Sequence, residues 1–87
     1  MRARVVVSGR VQGVWFRDAC RREAQARDVS GWVRNLADGA VEAEFEGAAP
    51  AVAQCVAWCR NGPPRAEVTG IDVTEIPPTG DPGFRIC

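Results

Sequence analysis

The 87-residue sequence predicts a single α+β domain in which two helices cover one face of a β-sheet. Three observations carry that expectation. Short β-branched or strictly alternating runs are interleaved with two stretches of helical period. Clusters of glycine and proline separate them at short intervals. A chain of this length has area for one hydrophobic core and little for a second, so residues 1–87 are taken as one domain.

The elements follow in order. Val5, Val6 and Val7 form a β-branched run that ends at Ser8 and Gly9, which predicts a buried central strand from about Arg4 to Ser8. From Phe16, small or apolar residues recur at Ala19, Cys20 and Ala24. Asp18 precedes Arg22 by four and Glu23 precedes Arg27 by four, the charge order that supports a helix, here ending near Asp28. After Ser30 and Gly31, a strand starts at Trp32 and Val33 and reaches Asn35; Ala37, Asp38 and Gly39 then make a hairpin turn.

The returning strand, Ala40 to Glu46, alternates strictly. Val41, Ala43 and Phe45 point to one side, and Glu42, Glu44 and Glu46 point to the other, where they are expected to form a solvated face. Pro50 suits a first helical turn, and Val52, Cys55, Val56 and Cys59 form an apolar stripe up to Asn61, before Gly62, Pro63 and Pro64 stop the second helix. A long strand from about Ala66 to Glu75 carries Val68, Ile71 and Val73, with Gly70 as a candidate bulge. Residues 77–82 read as a surface loop, and Phe84 to Cys87 as a short closing fifth strand. The order βαββαβ is that of a ferredoxin-like two-layer sandwich with an antiparallel-type sheet.

Composition narrows the chemistry. Eleven basic and eleven acidic residues cancel and are interspersed, which argues against a general attraction to nucleic acid or to an anionic membrane. The chain has no His and no Lys, which removes His general bases, His-ligated metals and Lys Schiff-base chemistry; no cofactor and no metal is expected. No segment approaches the length of a membrane span, and the apolar run at Val5 is too short for a secretory leader. A monomer in the cytoplasm is the expectation. Cys20, Cys55, Cys59 and Cys87 lack the spacing of a zinc ribbon or a dithiol redox site and read as small core hydrophobes, with Cys87 a candidate exposed thiol.

The most informative segment is SGRVQGVWFR, from Ser8 to Arg17, which joins a buried strand to a helix start through a loop containing Gly9 and Gly13. Glycines permit positive φ, so the amides from Arg10 to Phe16 are expected to curl into a nest that presents N–H groups to an anion, with the helix adding its positive end. Arg17 in the first helical turn supplies a planar fork of donors for phosphate oxygens. A cation there opposes the helix dipole at a cost of about 0.3 to 1 kcal/mol unless an anion compensates. The spacing matches neither the P-loop nor the dinucleotide fingerprint, so on the residues alone anion binding stands beside a purely structural loop. On the residues alone, Asn35 reads first as a turn residue before Asp38 and Gly39. Trp15 beside Phe16 is expected to pack in the core, with a pocket-shaping role as the alternative, and Trp32 and Trp58 are read the same way.

GRVQGVWFR, GWVRN from Gly31 to Asn35 and DGAVE from Asp38 to Glu42 together resemble the acylphosphatase family, and the likeness extends over the whole chain to Gly83, Phe84, Arg85 and Ile86. The resemblance implies hydrolysis of acyl phosphates and competitive binding of inorganic phosphate. It assigns the phosphoryl cradle to Gly9, Arg10, Val11, Gln12, Gly13, Val14, Trp15 and Phe16, phosphate binding to Arg17, and orientation of the attacking water to Asn35. Two other readings compete: a noncatalytic anion-sensing or carbamoyl-phosphate-handling module, and an RNA-binding sheet, the latter opposed by the lack of a net basic surface.

Overall fold

The computed structural model describes every residue from Met1 to Cys87. The chain runs β1 (Arg2–Arg10), α1 (Phe16–Ala26), β2 (Ser30–Asn35), β3 (Val41–Glu46), α2 (Ala49–Cys59), β4 (Glu67–Ile76) and β5 (Phe84–Ile86). The five strands form one sheet in the order β4-β1-β3-β2-β5. All pairs are antiparallel except β2 with β5, which run parallel, so the sheet is mixed and not of purely antiparallel type. The cause is the connection after β4. It crosses to the far edge of the sheet, where the Gly31 N–H donates to the Gly83 carbonyl at 2.9 Å and Phe84 stacks on Phe45. No helix is long and apolar enough to cross a membrane.

Alternation along the strands sorts the side chains into two layers. Ala3, Val5 and Val7 of β1, Val33 of β2, and Val41, Ala43 and Phe45 of β3 face the helices. There they meet Cys20 and Ala24 of α1 and Val52, Cys55 and Cys59 of α2 in one core. The thiols of Cys20, Cys55 and Cys59 are core groups, as expected. Burial pushes the Cys55 thiol up to about 11, and contact with Cys59 together with burial carries Cys20 well above its ordinary value. Cys87 is exposed.

β1 is longer than its valine run because both its edges are paired: Arg2 opposes Glu46 and Ile76, and Arg10 opposes Glu67. The irregularity expected at Gly70 lies beside it. Pairing steps from Ser8 with Gly70 to Gly9 with Val68, which leaves Thr69 as the additional residue of β4. α1 stops two residues early, since Asp28 takes a left-handed conformation that ends the helical ladder.

The glutamates of β3 do not form a solvated face. Glu42 is buried, hydrogen-bonded by Arg4 at 2.5 Å and by Arg34 at 2.7 Å. Arg2, only 1% exposed, binds Glu44, Glu46 and Asp81 at 2.8, 3.1 and 2.9 Å. Glu46 in turn accepts the N–H groups of Thr79 and Gly80, which fastens the 77–82 loop to the sheet. Register is the reason. Arg2 and Arg4 face the same side as Glu46 and Glu44 across β1 and β3, and Arg34 lies opposite Glu42 across β2 and β3, so long arginine stems cover the carboxylates.

Burial alone would raise the Glu42 carboxyl, but the hydrogen bonds from Arg34 and Arg4 outweigh it and hold the group below its ordinary value of 4.5. A carboxyl depressed in the folded state contributes stability above its unfolded value, and that stability is lost as pH falls through the folded value. The melting temperature should therefore decline with acidification below about pH 4.5, and Glu42→Gln should flatten the decline. Thermal unfolding followed by circular dichroism across this range checks both; an identical pH profile in the variant would remove Glu42 from the acid response.

Candidate active site

Between the end of β1 and the start of α1, the chain must turn while giving up no core positions. Val11 and Val14 do this by burying their side chains, at 1% and 3% exposure. The Gln12 side-chain amide donates to the carbonyls of Leu36 at 2.8 Å and Ala40 at 3.0 Å, tying the loop to the turn between β2 and β3. Gly13 and Trp15 adopt left-handed backbone conformations, with φ of 74° and 65°. Trp15 is the N-cap residue of α1 and offers no side-chain cap.

With Val11 and Val14 anchored in the core, the backbone amides of the loop are left without partners in the chain. The first backbone bond of α1 runs from Ala19 N–H to the Trp15 carbonyl, and no N–H from Val11 to Asp18 donates to another part of the chain. A run of unpaired amides in a curled loop, continued by a helix N-terminus, is a geometry for binding an anion. Arg17 stands exposed in the first turn of α1 and makes no ion pair within the chain.

Asn35 reaches the same place through topology. β1 and β2 are each antiparallel to β3, so they run in the same direction and end at the same edge of the sheet. Val41 of β3 pairs with Val7 on one side and Asn35 on the other, which puts Asn35 level with the strand that feeds the loop. A pocket of about 370 Å³ opens there, and its walls include Gly13, Arg17 and Asn35, together with Val11, Trp15, Phe16, Asp18 and Ile86. Residues separated by a helix in sequence thus share one cavity.

Of the residues expected to form the cradle, Gly9, Arg10, Gln12 and Val14 do not line the pocket. Gly9 and Arg10 belong to β1, where a Cβ on Gly9 would lie 2.2 Å from the Glu67 carbonyl oxygen. Gln12 is held by the β2–β3 turn, and Val14 is a core residue. Asp18 and Ile86 are pocket residues that the sequence did not single out. The Asp18 carboxylate is countered by Arg21 at 3.2 Å and Arg22 at 2.8 Å, the second being the i,i+4 pair visible in the sequence. Ile86 arrives on β5, whose pairing with β2 has no local sequence signal.

The aromatic residues divide differently from expectation. Trp15 is not in the core but 76% exposed, because Val14 and Phe16 take the inward positions on either side and the left-handed backbone turns Trp15 out. Phe16 is buried and packs against Trp58 at 5.2 Å. Trp32 lies on the outer sheet face, with the Arg34 guanidinium 5.2 Å from its ring centroid.

Fold and site together define a two-layer α+β domain with an anion-binding geometry where its first strand meets its first helix. The sequence pattern of the acylphosphatase family matches residues 3–86, and the chain belongs to that family. It is 58% identical to an acylphosphatase of Rubrobacter xylanophilus over 98% of this chain and 78% of the relative. Its structure is similar to that of an acylphosphatase from Bacillus subtilis, with a TM-score of 0.94 and 41% identity over 99% of this chain and 97% of that one. An acylphosphatase from Coxiella burnetii matches with a TM-score of 0.95 at 36% identity, over 99% and 90% of the two chains.

The two loop glycines should respond differently to alanine. At Gly13 a Cβ meets nothing within 4 Å, so Gly13→Ala should cost only the left-handed backbone penalty, about 1 to 2 kcal/mol. Gly9→Ala adds a collision with β4 backbone and should cost distinctly more. Urea unfolding of both variants checks the ranking; equal losses would contradict it.

Proposed function

We propose that this chain hydrolyses acyl phosphates to a carboxylate and inorganic phosphate by direct in-line attack of water. The observation that carries the proposal is that Arg17, Asn35 and the loop residues Val11, Gly13, Trp15 and Phe16, whose amides have no partner within the chain, line one pocket, in a chain of the acylphosphatase family.

The chemistry suits the residues present. The leaving group is a carboxylate, which departs as a stable anion and needs no strong general acid, so a chain without His suffices. The loop amides and the Arg17 guanidinium donate to the non-bridging phosphoryl oxygens and stabilise charge there as the bridging bond lengthens. The Asn35 carboxamide holds a water in line with that bond. The water oxygen bonds to phosphorus while the bridging P–O bond breaks and its electron pair leaves with the carboxylate. One water proton stays on the incoming oxygen and the other passes to a phosphoryl oxygen, because an amide is too weak a base to keep it. Inorganic phosphate, which shares the phosphoryl oxygens, is a competitive inhibitor in this scheme.

The chain acts as a cytoplasmic monomer in this reading. Ion pairs lie across the outer faces of β1, β2 and β3, and four free cysteines suit a reducing compartment.

Arg17→Ala and Asn35→Ala should each lower kcat for benzoyl phosphate by about 2.7 to 4 kcal/mol of activation free energy, roughly a hundredfold to a thousandfold, with unchanged circular dichroism. Assays with EDTA present test whether turnover is independent of metal. Retained rates in both variants would sink the residue assignment. Phosphate inhibition divides the two roles: it should disappear in Arg17→Ala and persist in Asn35→Ala, and equal loss in both would contradict the division.

A further inference from the structure

Gln12 belongs to the loop of unpaired amides but does not line the pocket. Its side-chain nitrogen donates to the carbonyls of Leu36 and Ala40, at 2.8 and 3.0 Å. Both partners can only accept, so both amide hydrogens are used and the orientation of the carboxamide is fixed. No other hydrogen bond joins residues 11–16 to residues 36–40.

Each side of this tie is formed without it. On the loop side, Val11 and Val14 are seated in the core. On the turn side, the Leu36 N–H donates to the Ala40 carbonyl at 2.8 Å and the Gly39 N–H to the Leu36 carbonyl at 3.2 Å. The two oxygens that receive Gln12 therefore already close the turn, and neither is left without a partner when the Gln12 amide is removed. The contribution of Gln12 is to fix where the turn stands relative to the loop.

That relation bears on Asn35, which immediately precedes Leu36 and pairs with Val41 at the end of β2. The Asn35 carboxamide makes no hydrogen bond within the chain, so its place over the pocket is set by the backbone that carries it. The one polar link from the loop to that backbone is the Gln12 amide. We infer that Gln12 is a positioning residue for hydrolysis: it holds Asn35 at the distance from the loop at which a water lies in line with a bound phosphoryl group, and it acts on turnover and not on phosphate binding. This rests on the acyl phosphate reading above.

The test uses Gln12→Met, which keeps the length of the side chain and removes both donors, alone and combined with Asn35→Ala. Gln12→Met should lower kcat for benzoyl phosphate by roughly tenfold or more, as displacement of a positioning group does, while inhibition by inorganic phosphate stays within about threefold. In the Asn35→Ala background the same substitution should change kcat by less than about twofold, since a residue that acts through Asn35 has nothing left to place. Gln12→Ala, which also removes the stem, should show the same separation of kcat from phosphate inhibition. NMR titration with inorganic phosphate reads the placement without turnover. The Gly13 and Trp15 backbone amides should shift alike in the unaltered protein and in Gln12→Met, whereas the Asn35 side-chain amide signals should shift clearly only in the former. An unchanged kcat, losses that multiply in the double variant, or phosphate inhibition that weakens as much as kcat falls would each overturn the positioning role. Absence of turnover by the unaltered protein, with the difference in the Asn35 signals intact, would instead overturn the hydrolase reading and leave the placement of Asn35 by Gln12 standing.

Discussion

β1 lies between β4 and β3, and the burial of one of its faces sets where everything else must go. Ala3, Val5 and Val7 face the helices, so a shift of one residue would put Arg2 and Arg4 into the core. The same parity places Arg2 and Arg4 on the outer face, against the glutamates of β3. It also brings the strand to its end where the chain must enter the loop before α1. Core, ion-pair lattice and pocket are three consequences of one register.

The outer face illustrates how context changes the meaning of a charge. Glu42, Glu44 and Glu46 alternate with apolar residues as solvated positions do. Yet Glu42 is buried under two arginines, and Arg2 is surrounded by three carboxylates. A buried pair is not in itself strong evidence of added stability, because desolvation opposes the attraction. Its clearer effect is positional. Arg2 and Glu46 hold the 77–82 loop, and that loop delivers β5 to the edge beside β2, where Phe84 stacks on Phe45 and Ile86 reaches the pocket.

The loop between β1 and α1 departs from the local consistency found elsewhere. It has a strained, exposed tryptophan, an arginine at the positive end of a helix and a series of amides without partners. Each feature is unfavourable for folding alone, and under the proposed function a phosphoryl group in the pocket compensates the arginine and the amides. The anchors around it, Val11, Val14 and the Gln12 amide, serve to keep this arrangement rigid before a ligand arrives.

The sequence by itself determined what local periodicity and residue chemistry encode: two helices, the strand order βαββαβ, and the core assignments of Val5, Phe45, Cys20 and Cys55; it also marked the segment from Gly9 to Arg17 as a candidate anion site beside a purely structural reading. Its likeness to acylphosphatases also singled out Asn35, which local pattern could not separate from a turn residue. The tertiary structure decided what depends on neighbours distant in sequence. It buried Glu42 beneath Arg4 and Arg34, made β5 parallel to β2, turned Trp15 outward because Val14 and Phe16 claim the core, and brought Arg17, Asn35 and Ile86 to one cavity. The difference is physical: an alternating pattern fixes which residues share a face, but only strand order and register fix what that face meets.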